Sequence, residues 1–178
     1  AIVEAAHETP VGIRLEGATA DGTKVVAEAK GDFLLFDDGA TAADALLERR
    51  LGGVLALEDG ADEERLRMIA PLRLDAILLG TRNATMTVRE QLTLRRIAEL
   101  THTPLVIAVT DAVSATTLEV WRDSGASAIL ATDAAALTDI VATAREVPAP
   151  HQRDDNERRD PLIPSLTAGH DHNDDDLD

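Results

Sequence analysis

Six short apolar runs alternate with amphipathic stretches along the chain. The runs are Val11–Glu16, Asp32–Asp37, Val54–Glu58, Ala76–Thr81, Leu105–Thr110 and Ala128–Thr132. Each run is continuous and rich in Val, Ile and Leu, which is typical of parallel strands covered on both faces. The amphipathic stretches between them predict helices. The pattern as a whole therefore predicts an α/β fold of serial βα units joined by right-handed crossovers.

Polar residues mark where several helices begin and end. Three helix starts have a capping-box spacing, namely Thr41 with Asp44, Thr87 with Glu90 and Thr116 with Glu119. In such a box the hydroxyl and the carboxyl group satisfy backbone N–H groups at the start of the helix. Gly125 predicts the end of a helix just before the sixth strand.

The chain changes character at Pro148. Residues 148–178 are polar, interrupted by proline, and carry nine acidic residues against three arginines. They hold too few apolar side chains to offset the entropy of ordering, so we expect an acidic disordered tail after an α/β core of residues 1–147. Within that tail, Leu162, Ile163 and Leu166 form an apolar island that we expect to dock on a protein surface. Because the first residues resemble the end of a helix, we expect the core to be the C-terminal part of a longer chain.

Composition and charge exclude several classes of function. The formal net charge is −16 over 178 residues, which opposes binding to nucleic acid or to an anionic membrane surface. The chain has no cysteine, so disulfides, zinc–thiolate sites and cysteine nucleophiles are excluded. No apolar stretch approaches the length of a membrane span. We therefore expect a cytoplasmic protein.

The stretch "TPLVIAVTDAVSATTLEVWRDSGASAILATD" has a rhythm of strand, helix, "GA" and strand. With the preceding units it resembles the (βα)8 TIM-barrel superfamily, and most closely its phosphate- or flavin-binding members. Those barrels place glycines after their last two strands, where backbone N–H groups hold phosphate. This chain has Thr110-Asp111-Ala112 and Thr132-Asp133-Ala134 instead, and an aspartate repels phosphate. The resemblance thus implies the fold without its phosphate or flavin site.

Six βα units are two fewer than a closed barrel needs. The sequence predicts a partial TIM-like barrel, with an open doubly wound parallel sheet as the alternative. A partial barrel leaves edge strands and apolar faces uncovered, which proteins normally cover. We therefore expect a homo-oligomer or docking within a larger protein assembly.

Ligands of such folds bind at the C-terminal ends of the strands. The charged and polar candidates there are Arg14, Glu16, Asp37, Asp38, Glu58, Arg82, Asn83 and Asp111. One interpretation is that the carboxylates are turn formers near helix N-termini. The other is a carboxylate cluster for Mg²⁺, with Asp37 and Glu58 as ligands, because Mg²⁺ prefers oxygen ligands.

Two arginines suggest a place for an anion. Strand alternation puts Arg14 opposite the apolar face of the first strand, where a guanidinium needs Glu16, Asp37 or Glu58 as a partner. The same position would also suit a clamp for a substrate carboxylate. Arg82 and Asn83, in the loop "GTRNATMT", would offer a docking point for an anionic ligand. The alternative for Arg82 is a solvated side chain in a long connection.

Two functions of different class follow from these patterns. The first is a non-catalytic, barrel-derived scaffold or interaction domain of a larger protein or assembly. It is favoured by the missing glycine loops and by the absence of catalytic motifs. The second is an enzyme that uses Mg²⁺ or binds a small anion at the strand ends, and the acidic residues there favour it.

Overall fold

The computed structural model describes residues 9–82 and 85–150. Within these ranges six strands form one parallel sheet whose order follows the chain. The strands are β1 (Gly12–Arg14), β2 (Phe33–Phe36), β3 (Gly52–Leu57), β4 (Ala76–Leu79), β5 (Leu105–Val109) and β6 (Ala126–Ala131). Each coincides with one of the apolar runs, which confirms the predicted parallel βα array.

Helices connect the strands. They are α1 (Ala20–Glu28), α2 (Glu63–Ile69), α3 (Val88–Thr101), α4 (Ala115–Asp123) and α5 (Ala134–Glu146), with 3₁₀ helices at Ala43–Leu47 and Ala70–Leu72. The predicted capping box of Thr87 and Glu90 is present at the start of α3. The Glu90 carboxylate accepts the Thr87 N–H at 2.7 Å, and the Thr87 hydroxyl accepts the Glu90 N–H at 3.3 Å.

The predicted helix cap at Thr41 is wrong. The segment after it forms a 3₁₀ helix that begins after Ala42 and has no side-chain cap. The Thr41 hydroxyl oxygen is buried and accepts or donates no hydrogen bond among the described residues. The backbone at Ala42 is extended, with φ −69° and ψ 138°, and its N–H donates to the Ala18 carbonyl at 2.8 Å. Residues 41–44 therefore do not form the first helical turn that a capping box needs.

The predicted cap at Thr116 is also wrong, by two residues. Ser114 caps α4, and its hydroxyl accepts the Thr117 N–H at 3.1 Å. Val113 and Leu118, which flank this cap, are both buried in the core. Such an apolar pair across a helix start fixes the direction in which the chain enters the helix, and here it selects the earlier start.

The helices cover one face of the sheet and form a core with it. Leu55, Ile77, Leu105 and Ile107 from the strands are completely buried, and Trp121 from α4 packs in the same cluster. Complete burial of each aliphatic side chain contributes about 1.5–3 kcal/mol. Because successive side chains of a strand point to opposite faces, the residues between these buried ones face the other side of the sheet.

That opposite side is the inner face, which comprises Leu35, Val54, Leu78, Val106 and Leu130. Parallel register places Leu35 beside Val54 and Leu78 beside Val106. None of the five belongs to the helix-covered core. Four are half-buried, and Leu130 is 41% exposed. The inner face is therefore apolar and incompletely covered.

The sheet is an open, curled half-barrel, consistent with a partial TIM-like fold. The alternative of a doubly wound sheet is wrong, because that fold reverses its strand order whereas this order runs straight from β1 to β6.

The chain divides into two units, Ala1–Pro148 and Ala149–Asp178. Asn83, the first eight residues and the apolar island at Leu162–Leu166 lie outside the described residues, as does nearly all of the predicted tail. The expectations for them stay predictions. Among the helices of the described part, none has the length and apolar character needed to cross a membrane.

Candidate functional site

The loops after the strands form a charged rim at one edge of the sheet. Because all six strands are parallel, their C-terminal ends meet at this edge. The candidates placed there are Arg14, Glu16, Asp37, Asp38, Glu58, Arg82 and Asp111, and Asp59 joins them. What the rim can do depends on whether these groups are free or already bound to the protein.

Asp37 closes a turn. Its Oδ1 accepts the backbone N–H of Ala40, three residues on, at 2.8 Å, which is a local side-chain-to-backbone hydrogen bond that holds the turn. The turn interpretation of this carboxylate is therefore supported by its geometry. Its other oxygen makes no hydrogen bond to a described residue, so that atom remains available to a ligand.

Asp38 binds Arg65 of α2. The guanidinium donates to both carboxylate oxygens, at 2.7 and 2.8 Å from Nη2 and at 3.2 Å from Nε. The hydrogen bond to Asp38 raises the pKa of Arg65 above its usual range, the charge of Asp38 adds to this, and Glu58 contributes more weakly. This pair joins the loop after β2 to the helix after β3.

Asp59, in the loop after β3, binds Arg82, in the loop after β4. Arg82 Nη2 donates to Asp59 Oδ1 at 2.5 Å, and the Arg82 side chain is only 18% exposed. The Arg82 Nε is buried and has no partner among the described residues, although positions 83 and 84 beside it are outside them. Arg82 is thus not a solvated side chain, because it is largely buried and paired with Asp59. The anion site at Arg82 and Asn83 stays a prediction.

The remaining rim groups are exposed. Asp111 accepts the Thr110 hydroxyl at 2.9 Å, and Glu58 and Glu16 make no hydrogen bond to a described residue. Arg14 pairs in register with Leu35, so it lies on the inner face as alternation predicted. Its expected ion pair with Glu16, Asp37 or Glu58 is absent, because the side chain is exposed to solvent rather than enclosed.

Residues 9–82 and 85–150 contain no group of three or more His, Asp or Glu side chains placed to hold a metal ion. Asp37 and Glu58 stay the predicted Mg²⁺ ligands, and water would have to fill most of the coordination sphere.

A small cavity of about 60 Å³ lies beside Arg82. It is lined by Arg82, Thr85, Met86, Glu90, Thr93 and Leu94. The backbone N–H of Thr87 lowers the pKa of Glu90 most strongly, followed by the Thr87 hydroxyl and the charge of Arg82. The Glu90 carboxylate is thus committed to capping α3, and the cavity has little more than the volume of one or two waters.

A larger apolar groove lies at the β6 side of the sheet. Its volume is about 410 Å³, and it runs between α4, β6 and α5. Leu137 and Val141 of α5 line it and are 50% and 42% exposed. Arg122 is the charged residue of its lining, and that guanidinium already donates to Asp123 at 2.8 Å. The groove offers apolar contact and almost no free charge.

Sequence reasoning did not identify the ion-pair partners of Asp38 and Arg82. Arg65 and Asp59 are the partners of Asp38 and Arg82, and they lie 27 and 23 positions away from them. No local spacing reveals such pairs. The only available signal was that neighbouring strand ends share an edge, which brings successive loops together.

Among solved structures, the chain is similar to a mutant form of FabK from Thermotoga maritima, with 18% sequence identity and a TM-score of 0.51. The similarity covers 72% of this chain and 46% of that one, so this chain spans less than half the length of that protein. At this identity the likeness shows the fold alone, and it agrees with a partial TIM-like barrel. No family model matches the chain, and no curated protein matches it.

Proposed function

We propose that this chain is a non-catalytic, barrel-derived scaffold or interaction domain of a larger protein or assembly. The observation that carries the proposal is the apolar surface left uncovered on the inner face and along β6. Leu130, Leu137 and Val141 are all more than 40% exposed although they belong to regular elements beside the core. Leu137 and Val141 line the groove on the helix side and Leu130 lies on the inner face, so both sides of the sheet next to β6 expose apolar side chains, which is a usual mark of an interaction site.

The state of the rim supports the same proposal. Two of the charged candidates, Asp38 and Arg82, form ion pairs with Arg65 and Asp59. Each pair spans two successive βα units and so holds the rim together. The pairing commits these two rim charges to holding the loops together.

The competing function is an enzyme with Mg²⁺ or a small anion at the rim. Arg14 favours it, since this side chain lies at the end of β1 and makes no ion pair with a described residue. Asp37 and Glu58 would be the metal ligands, and they retain oxygens without described partners.

Calorimetric titration of the full chain with Mg²⁺, and separately with inorganic phosphate, tests the proposal. The matched variant carries Asp37→Asn and Glu58→Gln. We expect no binding stronger than millimolar in either protein. Submillimolar Mg²⁺ binding that the variant loses, or phosphate binding that Arg14→Ala loses, would establish the competing function.

A further inference from the structure

The two edges of the described sheet differ in how well they are protected. β6 pairs with β5 alone, and its residues Ala126–Ala131 include no charge and no proline. β1, at the other edge, has three residues and includes Arg14. Charges, prolines and short length are the features that keep edge strands from pairing with other chains. β6 is the edge that lacks them.

The register of β6 fixes which backbone groups face outward. The Thr132 N–H donates to the Val109 carbonyl at 2.9 Å, so Thr132 faces β5. Backbone groups alternate sides along a strand, so Ile129 and Ala131 turn their N–H and C=O away from β5. An irregularity in the pairing lies at the start of β6, and the strand is regular from Ala128 to Ala131.

A second strand that fits this edge must be uncharged. The lining of the adjacent groove has Arg122 as its charged residue, and Asp123 already binds it. A charged partner would lose its hydration without gaining an opposite charge. In a chain of net charge −16, two copies can approach closely only where acidic side chains are absent. The β6 strand of a second copy meets both conditions.

We infer that β6 pairs antiparallel with β6 of a second copy, about a two-fold axis at Leu130. This inference rests on the proposed function, because it names the partner of the uncovered surface. In this register Ile129 exchanges both backbone hydrogen bonds with Ala131 of the second copy, and Ala131 does the same with Ile129. The exposed Leu130 side chains of the two copies then contact each other. The Asp133 side chains of the two copies lie far apart.

The helix beside this strand favours the same arrangement. Leu137 and Val141 are one turn apart on α5 and line the groove together with Ile129. A two-fold axis perpendicular to the sheet puts the helices of both copies on the same side of it. The two apolar stripes then cover each other, which closes the contact as an isologous dimer.

Pairing of β6 with β1 of another copy is disfavoured. It would match six residues with three and would place Arg14 beside an apolar strand that offers no carboxylate.

Cysteine cross-linking of the full chain tests the inference cleanly, because the chain has no cysteine of its own. In a directly opposed, non-hydrogen-bonded pair the Cα atoms lie about 4.5 Å apart, within disulfide range. Leu130→Cys should therefore form a covalent dimer under mild oxidation. Ser127→Cys is the matched control. Ser127 is also exposed on β6, but in this register it lies roughly 20 Å from Ser127 of the second copy. Equal cross-linking of both variants, or none with Leu130→Cys, would overturn the inference.

A charge variant provides an independent measure. Leu130→Lys places two like charges on the axis and should weaken dimerisation roughly tenfold or more in sedimentation experiments. Leu92→Lys, at a 61% exposed position on α3, should leave it unchanged. Association that persists in Leu130→Lys, without cross-linking of Leu130→Cys, would refute the β6 contact and leave the proposed function standing. Submillimolar Mg²⁺ or phosphate binding lost in the rim variants would instead refute the proposed function.

Discussion

Arg65 holds Asp38 through hydrogen bonds to both carboxylate oxygens, and this contact ties the loop after β2 to helix α2. The same relationship recurs one unit later between Arg82 and Asp59. These two pairs each join one βα unit to the next. We propose that the interaction surface is the uncovered apolar side of the half-barrel.

The energetic value of the Asp38–Arg65 pair should be small. Both side chains are about 40% exposed, so solvent screens the charges. We expect Asp38→Asn to lower the free energy of unfolding by less than about 1 kcal/mol in urea titrations. Adding Arg65→Gln to that variant should cost little more, because the pair is already broken. A loss above about 3 kcal/mol would show that the pair is effectively buried.

The cap of α3 predicts a specific dependence on pH. Hydrogen bonds from Thr87 lower the pKa of Glu90 below its ordinary value of 4.5. Because the folded pKa is below the unfolded one, this stabilisation is present above about pH 4.5 and is lost as the pH falls through the lowered pKa. Glu90→Gln cannot titrate. The difference in unfolding free energy between wild type and Glu90→Gln should therefore shrink between about pH 6 and pH 3. If the difference in unfolding free energy did not change with pH, the Glu90 carboxylate would not be capping α3.

Gly125 should tolerate no side chain. Its φ is +106°, and a Cβ there would lie 2.5 Å from the Cβ of Ala98 in α3. Gly60 has a φ of +88° but no heavy atom within 4 Å of such a Cβ, so Gly60→Ala measures backbone strain alone. Gly125→Ala should cost at least about 1 kcal/mol more than Gly60→Ala in thermal or urea unfolding. Equal costs would mean that α3 moves aside without penalty.

The strands were predictable because both faces of the sheet are apolar, which leaves a continuous apolar run in the sequence. The cap at Thr87 was predictable because its two partners are three residues apart. The position of Thr41 was not, since its spacing to Asp44 suits a capping box while the backbone at Ala42 is extended and hydrogen-bonded to Ala18, a tertiary contact that the sequence does not reveal. Candidate residues at strand ends were placed at one edge by topology alone. Their partners Arg65 and Asp59 depend on tertiary contact and left no pattern in the chain.

Sedimentation velocity of the full chain over about 1–100 μM tests the central claim most directly, with Leu130→Lys and the Asp37→Asn, Glu58→Gln variant measured beside it. The uncovered apolar side, as the interaction surface, should make the chain associate in a concentration-dependent way. Leu130→Lys should weaken this association, and the Asp37→Asn, Glu58→Gln variant should keep it. A monomer at every concentration, unchanged by Leu130→Lys, would contradict the account.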